Sequence, residues 1–277
     1  MLVAVAGALG GCELTEPDIT ASIDPKNGPP PTSQEGLRAY ADLWAKRYDA
    51  DPGGKVVSIN YAKALRELTR YGQAVAVMET AAVKAPNDME ILGAYGKALA
   101  DAGQLAQADD VLSRSYTPEE PNWSSMNVRG SIADQQGDHA KAQDYYLEAL
   151  KIAPGEPSIL NNLGLSYALS KQLPKAEETL RQAAASPAAD SRTRANLGLV
   201  LSLEGKFAEA EKIQKHDLSD EAASANVASI RQMIAQNNSW REIQSLDAKK
   251  RAKRARAASA PSPLAAAPAE NARSAVE

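Results

Sequence analysis

The sequence predicts an all-α protein in which pairs of helices stack into a solenoid. Three observations support this fold class. Small residues recur with a period of 34 residues, alanine is abundant, and only 5% of the 277 residues are aromatic. Alanine is the best helix former and lets neighbouring helices approach closely, whereas a thick core would need more large side chains. The composition therefore favours many closely packed helices over one large core.

The repeat begins at Lys55, and five segments follow without insertion or deletion. Their eighth position holds Ala62, Gly96, Gly130, Gly164 and Gly198, and their twentieth holds Ala74, Ala108, Ala142, Ala176 and Ala210. A larger side chain at these positions would push two crossing helices apart. Each segment is therefore predicted to be a helix pair, and neighbouring pairs must stack to bury their apolar faces.

Three features of the repeats depart from or complete this pattern. Gly103, Gly137 and Gly205 occupy the fifteenth position, where a turn with positive φ is expected between the two helices. Arg129 stands at the seventh position of the third repeat, so thin packing is expected for its first helix. Gln214 replaces the apolar residue at position 24 of the fifth repeat, which makes that helix the weakest prediction.

The 34-residue pattern resembles the tetratricopeptide repeat (TPR) family over residues 55–224. The resemblance implies a right-handed superhelix with flanking capping helices, whose concave groove holds an extended peptide or a partner helix. The inward-facing positions of the family predict these partner-binding residues: Asn127, Ser131, Asn161, Leu165, Leu169, Leu199 and Leu203. The groove would be polar in the middle and apolar towards its C-terminal end. Alternatively, the leucines pack beneath the C-terminal helices.

The N-terminus combines an apolar run with a cysteine. Residues 1–12 end in Leu9-Gly10-Gly11-Cys12, which resembles the lipobox of bacterial lipoproteins. The resemblance implies lipid attachment at Cys12 after cleavage of the signal. No basic residue precedes the apolar run, so we expect the signal to be truncated; the alternative is an unprocessed tail with an incidental cysteine. The proline-rich residues 13–33 are predicted to form a tether.

Composition also divides the rest of the chain. The sequence predicts the following segments: an N-terminal capping helix at 34–54, five repeats at 55–224, a C-terminal helical cap with a basic end at 225–256, and a disordered Ala/Pro-rich tail at 257–277. The basic run 249–256 holds six positive charges in eight residues. It is either a solvated helix end or a contact to an anionic surface.

No motif points to catalysis, a metal or a cofactor. The single cysteine excludes an internal disulfide, and nucleotide-binding and hydrolase signatures do not occur. We expect His139 and His216 to be surface residues without a carboxylate partner. The formal net charge of −4 argues against nucleic acid as a partner. The prediction is therefore a non-enzymatic, protein-binding chain that contacts the membrane only through its lipid anchor.

The combination of lipobox, tether, TPRs and the segment Ala225–Ile234, followed by Trp240, resembles the TadD family. These lipoproteins serve the assembly of tight-adherence (Flp) pili. The resemblance implies a location at the outer membrane facing the periplasm, and a secretin or another pilus assembly component as partner. Two alternatives remain open: an envelope scaffold for peptidoglycan-remodelling enzymes, and a soluble cytoplasmic TPR co-chaperone.

Overall fold

The computed structural model describes residues 31, 33–236 and 249, and all regular structure within them is helical. The helices are α1 (Gln34–Ala50), α2 (Lys55–Glu67), α3 (Tyr71–Lys84), α4 (Met89–Asp101), α5 (Leu105–Ser113), α6 (Trp123–Gln135), α7 (His139–Ile152), α8 (Pro157–Leu169), α9 (Leu173–Ala184), α10 (Ser191–Leu203), α11 (Phe207–Gln214) and α12 (residues 220–236). The predicted all-α solenoid is confirmed. Cys12, residues 13–30 and 32 of the tether, Trp240 and the tail lie outside the described residues, as does the basic run beyond Lys249.

The chain divides into two compact units, Met1–Ala189 and Asp190–Glu277. The described part of the first unit contains α1 and four helix pairs, from α2–α3 to α8–α9. The second unit contains the fifth pair, α10–α11, together with α12. Within the first unit each helix packs against the next along the chain, which is the arrangement of stacked repeats.

The two helices of each repeat cross where position eight of the first meets position 24 of the second. A Cβ atom placed on Gly130 would lie 2.5 Å from Cε1 of Tyr146, and one on Gly164 would lie 2.6 Å from Cγ of Leu180. Both facing side chains are at most 1% exposed, so neither can move aside. Because not even a Cβ atom fits there, Gly130 and Gly164 cannot be replaced without moving the helices apart.

Left-handed backbone closes the turn between the helices of every repeat. Gly103, Gly137 and Gly205 adopt φ angles of 76°, 82° and 80°, which confirms their predicted turn geometry. The equivalent positions in the first and fourth repeats carry Thr69 and Lys171, with φ of 57° and 64°. These two residues adopt a conformation that costs a side chain about 1–2 kcal/mol.

Helix α1 covers the start of the array with two aromatic rings. Its first turn is capped by Ser33, whose Oγ accepts from the Gly36 N–H at 3.1 Å. Tyr40 and Trp44 are each 2% exposed and meet edge to face at 6.1 Å. They pack with Ala64 of α2, so α1 shields the apolar side of the first repeat from water.

The structure corrects the expectation of thin packing at Arg129. Its Nε donates to Oδ1 of Asp109 at 2.7 Å and its Nη1 donates to the Tyr116 hydroxyl at 2.7 Å. The guanidinium carbon also lies 4.7 Å from the centre of the Tyr145 ring. A charged network therefore replaces the apolar contact that position seven makes in other repeats, and it ties α6 to both α5 and α7.

Substituting valine at Gly130 tests the close helix crossing. We expect Gly130→Val to lower the free energy of unfolding by about 2 kcal/mol or more, because the new atoms overlap the buried Tyr146 ring. Gly72→Val is the matched control, since no atom lies within 4 Å of a Cβ atom at that helical position. Urea titration followed by circular dichroism measures both variants. Equal midpoints for the two variants would contradict the crossing.

Candidate functional site

The first helices of successive repeats line one side of the first unit. Helices α2, α4 and α6 each contact the next first helix, in addition to their own second helix. Between residues 33 and 189, no two second helices are in comparably extensive contact. The first helices therefore lie closer together, which places them on the inner side of the curved stack. We call the surface formed by α2, α4, α6 and α8 the first-helix face.

A carboxylate organises the polar middle of this face. Oδ1 of Asp134 on α6 accepts from the Ser166 hydroxyl at 2.8 Å and lies 2.8 Å from Nδ1 of His139. Its Oδ2 accepts from the Tyr146 hydroxyl at 3.1 Å. Burial and the Asp134 charge raise the pKa of Tyr146 well above its usual value, so this phenol remains a donor. The network holds α6, α7 and α8 in a fixed arrangement.

Beside this network lies a cavity of about 240 Å³. Its lining includes Ser131, Leu165 and Leu169, three of the predicted partner-binding residues, together with Asn162. Leu169 is 59% exposed, whereas Leu165 is partly buried. The cavity thus combines an accessible apolar wall with hydroxyl and amide groups, the combination that fits a peptide side chain and its backbone.

Two other predicted residues, Asn127 and Asn161, contribute to this surface less directly. Asn127 accepts at Oδ1 from Nδ2 of Asn162 at 3.1 Å, so it joins the same polar surface through a residue that the sequence reasoning missed. Asn161 is only 8% exposed and donates to Asn162 at 3.3 Å, so it offers a partner little surface. The inward-facing amide of α8 is Asn162, one residue beyond the position taken from the family pattern.

The second unit has its own apolar cavity, of about 550 Å³, between α10, α11 and α12. Its apolar lining consists of Ala195, Leu218, Ile230 and Met233. Helix α10 also carries the two remaining predicted residues: Leu199 is 37% exposed and Leu203 is 43% exposed. Within residues 190–236, neither leucine is buried beneath the C-terminal helix, which was the alternative interpretation.

An ion pair supports α10 where the fifth repeat lacks its usual packing residues. Arg194 donates to both carboxylate oxygens of Asp217, each at 2.6 Å. This contact lowers the pKa of Asp217. Gln214 is 6% exposed and packs against Gly198, so the polar residue at position 24 still fills the helix crossing. The fifth pair is therefore formed with polar substitutes for the apolar contacts of other repeats.

The N-terminal end of the first-helix face is cationic. Lys63 and Arg66 lie one turn apart on α2, and Lys97 lies on α4 at the repeat position equivalent to Lys63. Arg66 donates from Nε to Oδ2 of Asp101 at 2.6 Å. Burial, with the nearby Arg66 and Lys63 charges, lowers the pKa of Lys97 to about 8. The sequence reasoning did not identify this cluster.

Both histidines have carboxylate neighbours, so the expectation that they lack them is wrong. His139 lies 2.8 Å from Asp134, and Nδ1 of His216 lies 3.6 Å from Oδ1 of Asp217. Residues 33–236 contain no group of three His, Cys, Asp or Glu side chains that could hold a metal ion. In the same range, no helix has the length and apolar character needed to cross a bilayer.

The sequence comparisons identify the repeats. Three overlapping stretches, residues 61–125, 109–157 and 127–192, match the tetratricopeptide repeat family. The chain is 26% identical over 180 residues to the human protein O-mannosyl-transferase TMTC1, a match that covers 63% of this chain and 20% of that protein. It is 31% identical over 100 residues to the heat-shock cognate co-chaperone sgt12 of Aspergillus fumigatus, which covers 36% of this chain and 29% of the relative. The chain thus spans less than a third of either relative.

A comparison with solved structures gives the same fold. The crystal structure of PilW, a type IV pilus biogenesis factor, superimposes with a TM-score of 0.61 at 16% sequence identity. The match covers 70% of this chain and 91% of PilW. Residues 61–192 are therefore TPRs within an all-α solenoid, and such repeats serve as scaffolds for protein–protein interaction.

Removing the charge of Lys97 tests its environment. A lysine pKa of about 8, against an ordinary value of 10.5, means that the folded state releases a proton at lower pH than the unfolded state. Stability of the unmodified chain should therefore rise between pH 8 and pH 10.5. Lys97→Met should raise the unfolding free energy at pH 7 by roughly 1–3 kcal/mol. It should also remove the part of the increase in stability between pH 8 and pH 10.5 that comes from Lys97.

Lys151→Met is the control for this measurement, because Lys151 is exposed on α7 and pairs with Glu148 at the surface. Chemical denaturation over the same pH range should show no gain in stability for the control. A Lys97→Met variant that is less stable than the unmodified chain at pH 7 would contradict this, because it would show that the charged ammonium stabilises the folded state.

Proposed function

We propose that this chain is a non-enzymatic scaffold that is anchored by lipid in a bacterial envelope and assists pilus assembly. In this proposal the first-helix face of the first unit, and separately the exposed side of α10 in the second unit, bind extended segments or helices of a partner protein. The TPR fold supports the protein-binding part. The lipobox and the resemblance to the TadD family support the cellular setting.

The observation that carries the binding proposal is the exposure of leucines on first helices. Leu169, Leu199 and Leu203 are 59%, 37% and 43% exposed, although their helices are otherwise well packed. Leu169 and Leu203 occupy the same repeat position, and all three leucines leave much of their apolar surface in water, where it adds little to the stability of the isolated chain. They do provide apolar contacts for a ligand, while Ser131, Asn127 and Asn162 provide hydrogen bonds to its backbone.

The envelope location is proposed from the N-terminal sequence. Leu9-Gly10-Gly11-Cys12 has the branched and small residues of a lipobox, and the proline-rich residues 13–33 would hold the repeats away from the bilayer. The residue after the cysteine is Glu13 rather than aspartate, which favours the outer membrane over the inner membrane. The partner would then be a secretin or another component of a tight-adherence pilus system.

Similarity to PilW is consistent with this role. The shared fold extends over 91% of that pilus biogenesis factor, so a solenoid of this size can serve pilus biogenesis. The second candidate is a co-chaperone, which the similarity to sgt12 over 100 residues favours. A co-chaperone would be soluble, and lipid attachment at Cys12 therefore separates the two candidates.

Charged substitutions on the first-helix face and on α10 test the binding proposal. We expect Leu169→Asp combined with Leu203→Asp to abolish capture of the envelope partner, because a partner segment bound to either unit would then have to desolvate a carboxylate. Helicity should be unchanged, since both side chains are exposed. Affinity purification from detergent-solubilised envelopes, with quantitative mass spectrometry, measures the capture.

Leu147→Asp is the control for this substitution, because Leu147 is 44% exposed on the second helix α7, away from the first-helix face. The control should retain the partner. Retention of the partner by the double variant, with circular dichroism unchanged, would refute the assigned surface.

Replacing Cys12 tests the anchor. The protein produced from its native locus should fractionate with membranes, and its mature N-terminus should carry diacylglycerol, because several acyl chains give stable anchoring. Cys12→Ser should move the protein to the soluble periplasmic fraction. Intact-mass measurement and cell fractionation check both outcomes, and an unmodified protein in the cytosol would favour the co-chaperone instead.

A further inference from the structure

The cationic end of the first-helix face contains charges that the fold does not neutralise. Arg66 pairs with Asp101 at 2.6 Å, and Lys55 pairs with Asp88 at 3.1 Å and with Glu90 at 2.7 Å. The ammonium groups of Lys63 and Lys97 make no ion pair or hydrogen bond with any residue that the structure describes. Lys63 is exposed, whereas Lys97 is partly buried, so the second ammonium is the less well solvated.

These charges lie next to one another across two helices. Lys63 and Lys97 are 34 residues apart and occupy the same position of adjacent repeats, and α2 packs directly on α4. Arg66 lies one turn from Lys63, and its contact to Asp101 on α4 fixes the guanidinium between the two helices. Three cations share this end of the face with the paired Asp101 and with Glu67, which is exposed on α2 one turn beyond Lys63, so positive charges still outnumber negative ones by one.

Unneutralised cations in this setting are unfavourable without a ligand. Both charges that act on Lys97 are positive, and its partial burial removes water that would otherwise stabilise the ammonium, so its pKa falls. A carboxylate placed there would relieve the repulsion and supply the missing hydrogen-bond acceptor. A bound anion would therefore offset the unfavourable free energy of holding these cations close together.

From this cluster we infer that Lys63, Arg66 and Lys97 form a binding site for an acidic polypeptide segment. The inference rests on the proposed function, since the segment belongs to a protein partner held on the first-helix face. It adds the chemistry of that partner: an acidic end at α2 and α4, and an apolar end at α8.

A peptide is favoured over other anions by the surroundings of the site. The next first helix, α6, offers the neutral polar groups of Asn127 and Ser131, which can hydrogen-bond a peptide backbone but give a polyphosphate no further cations. The chain as a whole carries a net charge of −4, which would repel a nucleic acid or an anionic bilayer at long range. A short acidic segment contacts only this end of the face, so the local excess of positive charge is enough to attract it.

Helix spacing sets the acidic pattern that the site should prefer. Packed helices lie about 8–10 Å apart, and an extended chain advances about 3.3 Å per residue. Carboxylates two residues apart lie on the same side of an extended segment, about 6.6 Å apart, so the flexible lysine side chains would let each carboxylate meet one ammonium, one on α2 and one on α4. Adjacent carboxylates point to opposite sides of an extended chain and could not both reach the face.

The test uses the full chain and two fluorescent nine-residue Gly/Ser peptides of equal charge. One has two glutamates at positions i and i+2, and the other has them adjacent. Fluorescence anisotropy at about 0.15 M ionic strength should show tighter binding of the first peptide. Lys97→Met should weaken this binding about tenfold or more, because it removes a charge-assisted hydrogen bond. Lys151→Met, with the same change in net charge on α7, should bind like the unmodified chain.

Three results would overturn the inference. These are no binding of the spaced peptide, equal binding of the two peptides, and binding that Lys97→Met leaves unchanged. A single-stranded oligonucleotide and phosphatidylglycerol vesicles serve as competing anions; tighter, Lys97-dependent binding of either would also overturn it. The variant with Leu169→Asp and Leu203→Asp should still bind the spaced peptide. Failure of envelope capture and failure of the acidic site are therefore distinguishable.

Discussion

The close contact between position eight and position 24 of each repeat determines the rest of the structure. At Gly130 and Gly164 the first helix approaches the second so closely that a single added methyl group would overlap a buried side chain. Each crossing fixes the geometry of one pair, and each pair then presents a defined surface to the next. Because no pair has a core of its own, an error at one crossing would affect its neighbours on both sides.

Regular stacking has a consequence for function, since equivalent residues of different repeats become neighbours on one surface. Lys63 and Lys97, or Asn127 and Asn162, are distant in sequence but adjacent in space because their helices are stacked in order. The first unit thereby acquires a graded surface, cationic at α2 and α4, polar at α6 and apolar at α8. The Asp134 network keeps the polar section rigid, so a ligand meets preformed groups rather than mobile ones.

The periodic features of this protein could be predicted from its sequence, and the features that depend on individual contacts could not. The phase of the small residues predicted the helix pairs, and the glycines at position fifteen predicted their turns. Leu169 was placed on the accessible face because a family position identifies the direction of a helical side chain. Asn161 and Asn162 show the limit, since an error of one residue rotates a side chain by about 100° and exchanges a buried amide for a partly exposed one.

Polar contacts between repeats were beyond the reach of the sequence for a related reason. Arg129 interrupts an apolar position, and its partners Asp109, Tyr116 and Tyr145 come from three separate stretches that only the fold brings together. Lys97 is the opposite case. Surface lysines commonly pair with a carboxylate, but among the described residues none pairs with the Lys97 ammonium. Sequence patterns describe which residues share a helix face, but not which charges remain without a counter-ion.

The two turns that lack glycine, at Thr69 and Lys171, introduce unevenness into an otherwise regular array. Each of these residues holds a left-handed backbone that its side chain disfavours, whereas the other turns adopt it freely. The helix pairs α2–α3 and α8–α9 are therefore joined under strain, and the pairs between them are not. Under mechanical load or partial denaturation, these two hinges would open before the glycine-containing turns, and the middle repeats would separate as a block.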